Sequence, residues 1–363
     1  MRSDILKAVL TDIAGLKCYG FIAFVFAYGA ITVDVVTLVH VIVSFLYLSL
    51  RSGISKVYYN IKIFFRMMKQ KGQKMSSNRK KLYDCFPLYK NNDEIIGYSF
   101  KCEEPKYVMC IIHGVGEYSA RYSRMAEALS HYGIACIAYD QRGHGISKGK
   151  RGDCAPRSKV FEDIDALIET AQELYPGLPI TLYGHSMGGN ICLDYRARGS
   201  KNHIPEKYIV SAPWIKLVKD FPKPVVSMLR SASKIMPTFG ISQSFPEDKL
   251  GNLINVRPYK DDPIVHSHIS LRCAAECFDM GNSIYDGTNP DNGKSFGKPF
   301  LLMHGDQDKI CSVNGSRHVA ERLKNEDWFT YIEWPGYYHE IHNGGKEATG
   351  DDVIETIKDF ILA

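Results

Sequence analysis

The sequence has no internal repeat and no low-complexity tract, which sets aside solenoid arrays and linker-like chains. Its ten cysteines fall in no metal-ligand spacing. Cys273 and Cys277 stand one helical turn apart without partner ligands, and Cys110, Cys136 and Cys192 sit in apolar strand or helix contexts. They read as packing residues with free thiols, in keeping with a reducing compartment. Acidic residues are absent from 51–81, which hold ten Lys or Arg. Formal charge is almost absent from 18–50, where Asp34 is the only one in 33 residues. Residues 1–81 hold 13 basic and 3 acidic residues, a net +10 against +5 for the chain, so residues 82–363 carry about −5. The body therefore lacks the positive excess of a nucleic-acid-binding protein.

The apolar segment 18–50 is longer than the ~20 residues that cross a bilayer and short for two crossings with a turn. Asp34 at the centre of a span would cost roughly 2.5–3.5 kcal/mol. A span from Val35 past Leu50 puts that charge at the interface; a tilted long helix and a re-entrant hairpin are the other solutions. A cleaved signal peptide does not fit, because the apolar run continues well past Ala30. The basic, amphipathic stretch 54–66 suits an anionic membrane surface. Its positive charge predicts a cytoplasmic location for the rest of the chain. Residues 1–81 are thus read as a membrane segment, with contact through 18–66, and 82–363 as a separate domain. The alternative is a start at Met75, with the preceding residues an upstream extension and a soluble cytoplasmic body.

From Tyr83 onward, apolar strand runs alternate with helical stripes. Val160, Phe161, Ile164, Leu167, Ile168 and Leu174 form one stripe, and Val353, Ile354, Ile357, Phe360 and Ile361 another. This rhythm predicts an α/β domain, a mostly parallel sheet with helices on both faces. The run from Ile180 ends in Gly184-His185-Ser186-Met187-Gly188 and a helix-compatible segment follows. Gly-x-Ser-x-Gly between a strand and a helix is a turn tight enough to strain the serine and hold its Oγ at the sheet edge. A side chain at Gly184 or Gly188 is expected to collide across the turn.

Two later strands, Pro299–Gly305 and Phe329–Trp334, open loops at the same edge, and these carry Asp306 and Asp308, then His339 and His342. Serine, acid and histidine in that chain order can run nucleophilic catalysis: the histidine takes the serine proton, and the acid fixes its tautomer. Spacing alone does not separate the two candidates of each type. We take Asp308 and His339, with Asp306 bracing the turn and His342 at the pocket rim or in solvent. Upstream, the strand Tyr107–Ile112 ends in His113-Gly114-Val115-Gly116-Glu117. A glycine-rich loop there supplies one backbone N–H of an oxyanion hole, from Val115, to pair with that of Met187. His113 reads as a loop organiser. Asp140 and Arg142 are expected to tie the site loops together through charge-assisted hydrogen bonds, with His144 architectural.

Residues 113–122, 139–147, 184–189 and 305–310, in this order, resemble the signatures of the monoacylglycerol lipase and lysophospholipase family of α/β-hydrolases. The resemblance covers about 83–363. It implies an α/β-hydrolase fold, a serine acting on lipid esters, no cofactor and no metal. The sequence departs at Tyr118, where the family often has His, with effects expected at the pocket mouth rather than on the chemistry. The interval 214–298 is too long for a loop and reads as a cap forming an apolar acyl tunnel. Its amphipathic pieces are Val225–Arg230 and Ile269–Ala275. General esterase, thioesterase or acyl-transfer chemistry at the same site is the nearest alternative. A non-catalytic binding protein on this fold is the remote one, since such proteins usually lose a triad member.

Cys311 lies three residues beyond Asp308, close enough to expect inhibition by thiol reagents; unchanged turnover after selective alkylation of Cys311 rejects that expectation.

Overall fold

The computed structural model describes residues 82–363, apart from 91, 220, 243–249, 253, 256–257 and 290–294. The expectations for the segment 18–50 and the basic stretch after it lie outside the described residues. Among the described residues, no helix is long and apolar enough to cross a membrane.

An eight-stranded sheet has the order β1-β2-β4-β3-β5-β6-β9-β10. Its strands are β1 (Tyr83–Tyr89), β2 (Asn92–Phe100), β3 (Tyr107–Ile112), β4 (Ile134–Tyr139), β5 (Ile180–His185), β6 (Lys207–Ser211), β9 (Phe300–Gly305) and β10 (Phe329–Trp334). β1 and β2 run antiparallel at one edge, and the remaining six are parallel. The helices are α1 (Ser123–Ser130), α2 (Arg157–Leu174), α3 (Met187–Arg198), α4 (Lys223–Ile235), α5 (Leu271–Asp286), α6 (Val313–Leu323) and α7 (Asp351–Leu362). The strand–helix rhythm predicts this mostly parallel α/β domain, and the family resemblance implies its α/β-hydrolase form.

The parallel strands are apolar on both sides because both faces are covered. Their period-2 alternation divides the core into two layers. Val108, Cys110, Ile112, Leu182 and Leu302 face the layer completed by α2, α3, α5 and α6. Met109, Ile111, Tyr183, Leu301 and Met303 face the layer completed by α1 and α7. Both predicted stripes dock: Val160, Ile164, Leu167 and Ile168 are buried on α2, and Val353, Ile354, Ile357 and Ile361 on α7. Leu174, at the end of α2, is exposed instead.

Register decides where the loops emerge. Ile112 lies opposite Gly184, His185 opposite Ser211, Ser211 opposite Met303, and Gly305 opposite Trp334. The carboxyl ends of β3, β5, β6, β9 and β10 therefore open side by side.

The interval between β6 and β9 holds α4, α5 and a two-stranded ribbon of β7 (Gly240–Ser242) and β8 (His268–Ser270). Ile269 is a strand residue, not the helical residue its spacing suggests; α5 starts at Leu271, and Ser270 caps it by accepting from the Cys273 N–H. α5 is fixed to the sheet domain. Arg272 pairs with Asp153 through its Nε and Nη2, at 2.9 and 2.7 Å, and Ser270 N–H donates to the Gly152 carbonyl. α4 packs on α5 but buries only Val226. Met228 and Ile235 on α4, and Ile254 after it, are 67, 81 and 85% exposed.

Leu302→Ala, which empties the middle of the fully buried β9, is expected to lower the unfolding free energy by about 2–5 kcal/mol in chemical denaturation; a loss under about 1 kcal/mol contradicts the layer assignment.

Candidate active site

Ser186 sits between the last residue of β5 and the first of α3 with φ 56° and ψ −117°. A non-glycine residue in this left-handed region is strained. The clearances around it are set by glycines. A Cβ on Gly184 would lie 2.4 Å from the Gly188 carbonyl oxygen, which is the predicted collision across the turn. The obstacle at Gly188 is different: a Cβ there would lie 2.1 Å from the Ile112 oxygen, at the end of the neighbouring strand. Gly188 is thus required by the approach of α3 to β3, not by the turn itself.

The structure brings Ser186, Asp308 and His339 together. His339 Nε2 is 2.8 Å from Ser186 Oγ, and His339 Nδ1 is 2.6 Å from Asp308 Oδ2. All three are buried. Asp308 Oδ1 accepts from the N–H groups of Ile310 and Cys311 at 2.7 and 3.0 Å. Burial alone would raise the Asp308 carboxyl, but His339 and His304 outweigh it and hold it well below the usual carboxylate range. Burial pulls the His339 imidazole down, yet the Asp308 carboxylate, helped by Glu340 and Glu117, raises it above the ordinary histidine value. The arrangement can pass a proton from the serine hydroxyl to His339 Nε2 while Asp308 fixes a proton on Nδ1.

The rejected candidates sit apart. Asp306 Oδ1 accepts from the Gly336 N–H at 2.7 Å and ties the two site loops. His342 is neither at a rim nor in solvent. It is buried, stacked on Tyr122 and edge-on to His185. Burial, then Arg124 and Arg121, push it down to about 3. His113 Nε2 accepts from the Gln141 N–H, and its Nδ1 lies 2.7 Å from the Gly114 carbonyl, so it organises the loop. Asp140 joins neighbouring loops by accepting from Ser119 N–H, Ile146 N–H and Tyr98 hydroxyl. Arg142 departs from expectation: it reaches α2 and pairs with Asp163. His144 is buried, with burial, then His113 and His266, holding it well below the usual range. Cys311 is at the site, but its thiol is 1% exposed and burial pushes it far up. The thiolate is the reactive form, so the geometry argues against ready alkylation.

A cavity of about 20 Å³ opens beside Ser186, lined in part by Val115, Glu117, Leu250, Tyr259 and Ile310. This is room for about one water-sized group; the expected acyl tunnel falls in part on cap residues outside the described ones. Met187 is the first residue of α3, and the N–H groups of a first helical turn have no partner inside the helix. Glu117, Arg121, Tyr259, Asp262 and Glu340 are not legible as a unit in the sequence, because they come from three separate segments. Arg121 lies 3.8 Å from Glu117, 3.8 Å from Asp262 and 3.4 Å from Glu340, with Tyr259 over its guanidinium. Glu117 Oε1 accepts from the Gly114 N–H and the Tyr122 hydroxyl. Burial, then the neighbouring Glu340, raise the Glu117 carboxyl. Tyr118, the departure from the family pattern, donates to Asp262 Oδ2 at 2.9 Å and so reaches the cap interval.

A family model described as serine aminopeptidase, S33 matches residues 103–345. The chain belongs to the monoacylglycerol lipase family of α/β-hydrolases. It is 30% identical over 264 residues to the monoacylglycerol lipase of Mycolicibacterium smegmatis, covering 72% of this chain and 89% of that one. It is 33% identical over 260 residues to an uncharacterised abhydrolase domain-containing protein of Dictyostelium discoideum, covering 71% of this chain but 27% of that longer relative. Among solved structures, the monoacylglycerol lipase of Paleococcus ferrophilus superposes with a TM-score of 0.63 at 28% identity, covering 73% of this chain and 98% of that one. Membership makes the protein a carboxylic ester hydrolase of lipid-ester type.

Gly188→Ala is expected to lower ester turnover at least 100-fold, because its Cβ meets backbone at the loop bearing Val115. Gly240→Ala, whose Cβ meets only His268 at 3.8 Å, serves as the control; wild-type turnover in Gly188→Ala refutes the close-approach argument.

Proposed function

We propose that the protein hydrolyses monoacylglycerols through an acyl-enzyme on Ser186. His339 takes the serine proton and returns it to the departing glycerol. Asp308 orients His339 and stabilises its imidazolium. The N–H groups of Val115 and Met187 hold the oxyanion. Water activated by His339 then releases the fatty acid. The observation that carries the reading is the continuous hydrogen-bonded line from Asp308 through His339 to Ser186.

The choice between glycerol and a phosphate head group rests on charge. Three carboxylates surround the one guanidinium of Arg121 beside the cavity. Among the described residues of this cluster, one negative charge is left over even with Glu117 protonated. A phosphate about 6 Å from that charge would lose roughly 3 kcal/mol at an effective dielectric of about 20. A neutral polyol meets hydrogen-bonding groups, Glu117 and Tyr259, without that cost. The observation favours monoacylglycerol over lysophospholipid.

The cavity at Ser186 is bounded in part by Leu250 and Tyr259 of the interval between β6 and β9, the interval we take to receive the acyl chain. The exposed apolar side chains of α4 suit a lipid surface. Together with the apolar run 18–50 and the ten basic residues after it, they support a protein held at a membrane, with its hydrolase domain on the cytoplasmic side.

Fatty-acid release from a long-chain monoacylglycerol is expected to vanish in Ser186→Ala and to exceed release from the matching lysophospholipid about 100-fold in kcat/KM. Equal rates on the two sink the head-group argument, and Ser186-independent release sinks the whole reading. The pH dependence has a definite sign. His339 must be neutral to act as base, and its raised value means that kcat/KM climbs with pH through a midpoint above about 6.5. A midpoint clearly below that contradicts the Asp308–His339 coupling.

A further inference from the structure

Asp308 serves two histidines. Its Oδ2 is approached by His339 Nδ1 at 2.6 Å and by His304 Nε2 at 3.1 Å. His304 is the penultimate residue of β9 and has no exposed surface. Its Nε2 faces only acceptors, Asp308 Oδ2 and the Cys311 carbonyl at 3.2 Å. That nitrogen therefore carries a proton and donates it. The opposite ring nitrogen, Nδ1, lies 2.7 Å from Ser316 Oγ on α6, which fixes the ring plane. With Ile310 and Cys311 donating to Oδ1, the carboxylate has a donor at each of its four lone-pair positions.

We propose that His304 is a positioning residue for the reaction: it holds Asp308 Oδ2 toward His339 and, by sharing the charge of that oxygen, sets the pH at which the base is lost. A carboxylate with one histidine on Oδ2 attracts the imidazolium more strongly than one with two. Removing His304 concentrates that charge on His339, favours its protonated form and moves the acid limb of the pH–rate profile upward. The other groups facing His339 are the rings of His185 and His342 and the carboxylates of Glu340 and Glu117, the last two paired with Arg121. On the Asp308 side stand the Cys311 thiol and, opposite His304 in register, Glu333 of β10, which is paired with Arg317. Substitution at 304 leaves all of these in place.

The inference rests on the Ser186–His339–Asp308 reading, so Ser186→Ala is run alongside. The measurement is kcat/KM against pH on a soluble ester for wild type, His304→Leu, His304→Gln and Ser316→Ala. In His304→Leu, the acid limb is expected to move up by about 0.5–1 pH unit, with kcat about tenfold lower. In His304→Gln, the side-chain amide stands where Nε2 stood and can still donate, so the limb stays near its wild-type position. Ser316→Ala loosens the ring and moves the limb in the same direction by a smaller amount, at least about 0.2 unit. A residue that merely fills the core would change stability in His304→Leu and leave the limb where it is; that result overturns the proposal, as does a Gln variant shifted as far as Leu. If His304→Leu does not fold, Ser316→Ala decides, and an unmoved limb there is fatal. Turnover that survives in Ser186→Ala instead rejects the triad itself, which keeps the two failures distinguishable.

Discussion

The strained backbone at Ser186 is the constraint on which the rest of the site depends. A non-glycine residue in the left-handed region costs of order 1–3 kcal/mol and persists only where its surroundings over-determine it. Here they do. Ser186 N–H donates to the Ser211 carbonyl of β6, and Ser186 carbonyl accepts both from Asn190 in α3 and from Trp214 at the start of the cap interval. The turn is thus held from the sheet, from the helix it begins and from the base of the cap. Asn190 extends the arrangement by donating to the Trp214 and Cys277 carbonyls. Gly188 lets α3 approach β3 closely, which brings the loop after β3 alongside the serine. Ser186, the loop after β3 and the start of the interval between β6 and β9 are set by one local geometry.

How much of this is legible in the sequence follows from how local each cause is. The parallel strands are short apolar runs, so β3, β5, β9 and β10 can be read to within about one residue. Chain order points to a serine, an acid and a histidine on loops at one edge, but spacing leaves two acids and two histidines open, and sheet register is what seats Asp308 and His339 beside Ser186. The antiparallel pair β1–β2 is not, since Tyr83–Tyr89 alternates irregularly, contains Pro87 and slips register between Pro87 and Tyr89. β8 is three residues long, too short to carry a period, so Ile269 passes for part of the helix that follows. Arg142 and His342 show the limit most clearly. Both have charge or ring chemistry suited to the site, and their actual partners, Asp163 on α2 and Tyr122 at the head of α1, are tertiary neighbours that no local pattern announces.

Buried carboxylates on the two sides of His339 meet opposite fates for one physical reason. Asp308 is as deeply buried as Glu117, yet it is held ionised because its donors outnumber its desolvation and no second carboxylate stands beside it. Glu117 accepts from Gly114 and Tyr122 and still moves upward, because burial raises it and Glu340, which shares its cation, adds to that. The first arrangement keeps a fixed negative charge where an imidazolium forms. The second lowers the charge beside the cavity at Ser186.

Arg121 makes that second side answer to the cap. One guanidinium is divided among Glu117, next to the oxyanion loop, Glu340, next to His339, and Asp262, in the cap interval. Tyr118 adds a second bond to Asp262, and the Gly116 carbonyl accepts from the His266 N–H. Glu117 in turn holds the Gly114 N–H at the head of the oxyanion loop. One cation thus joins the loop after β3, the segment bearing His339 and the interval between β6 and β9. Among the described residues its three partners are all carboxylates, so each holds the guanidinium against the pull of the other two.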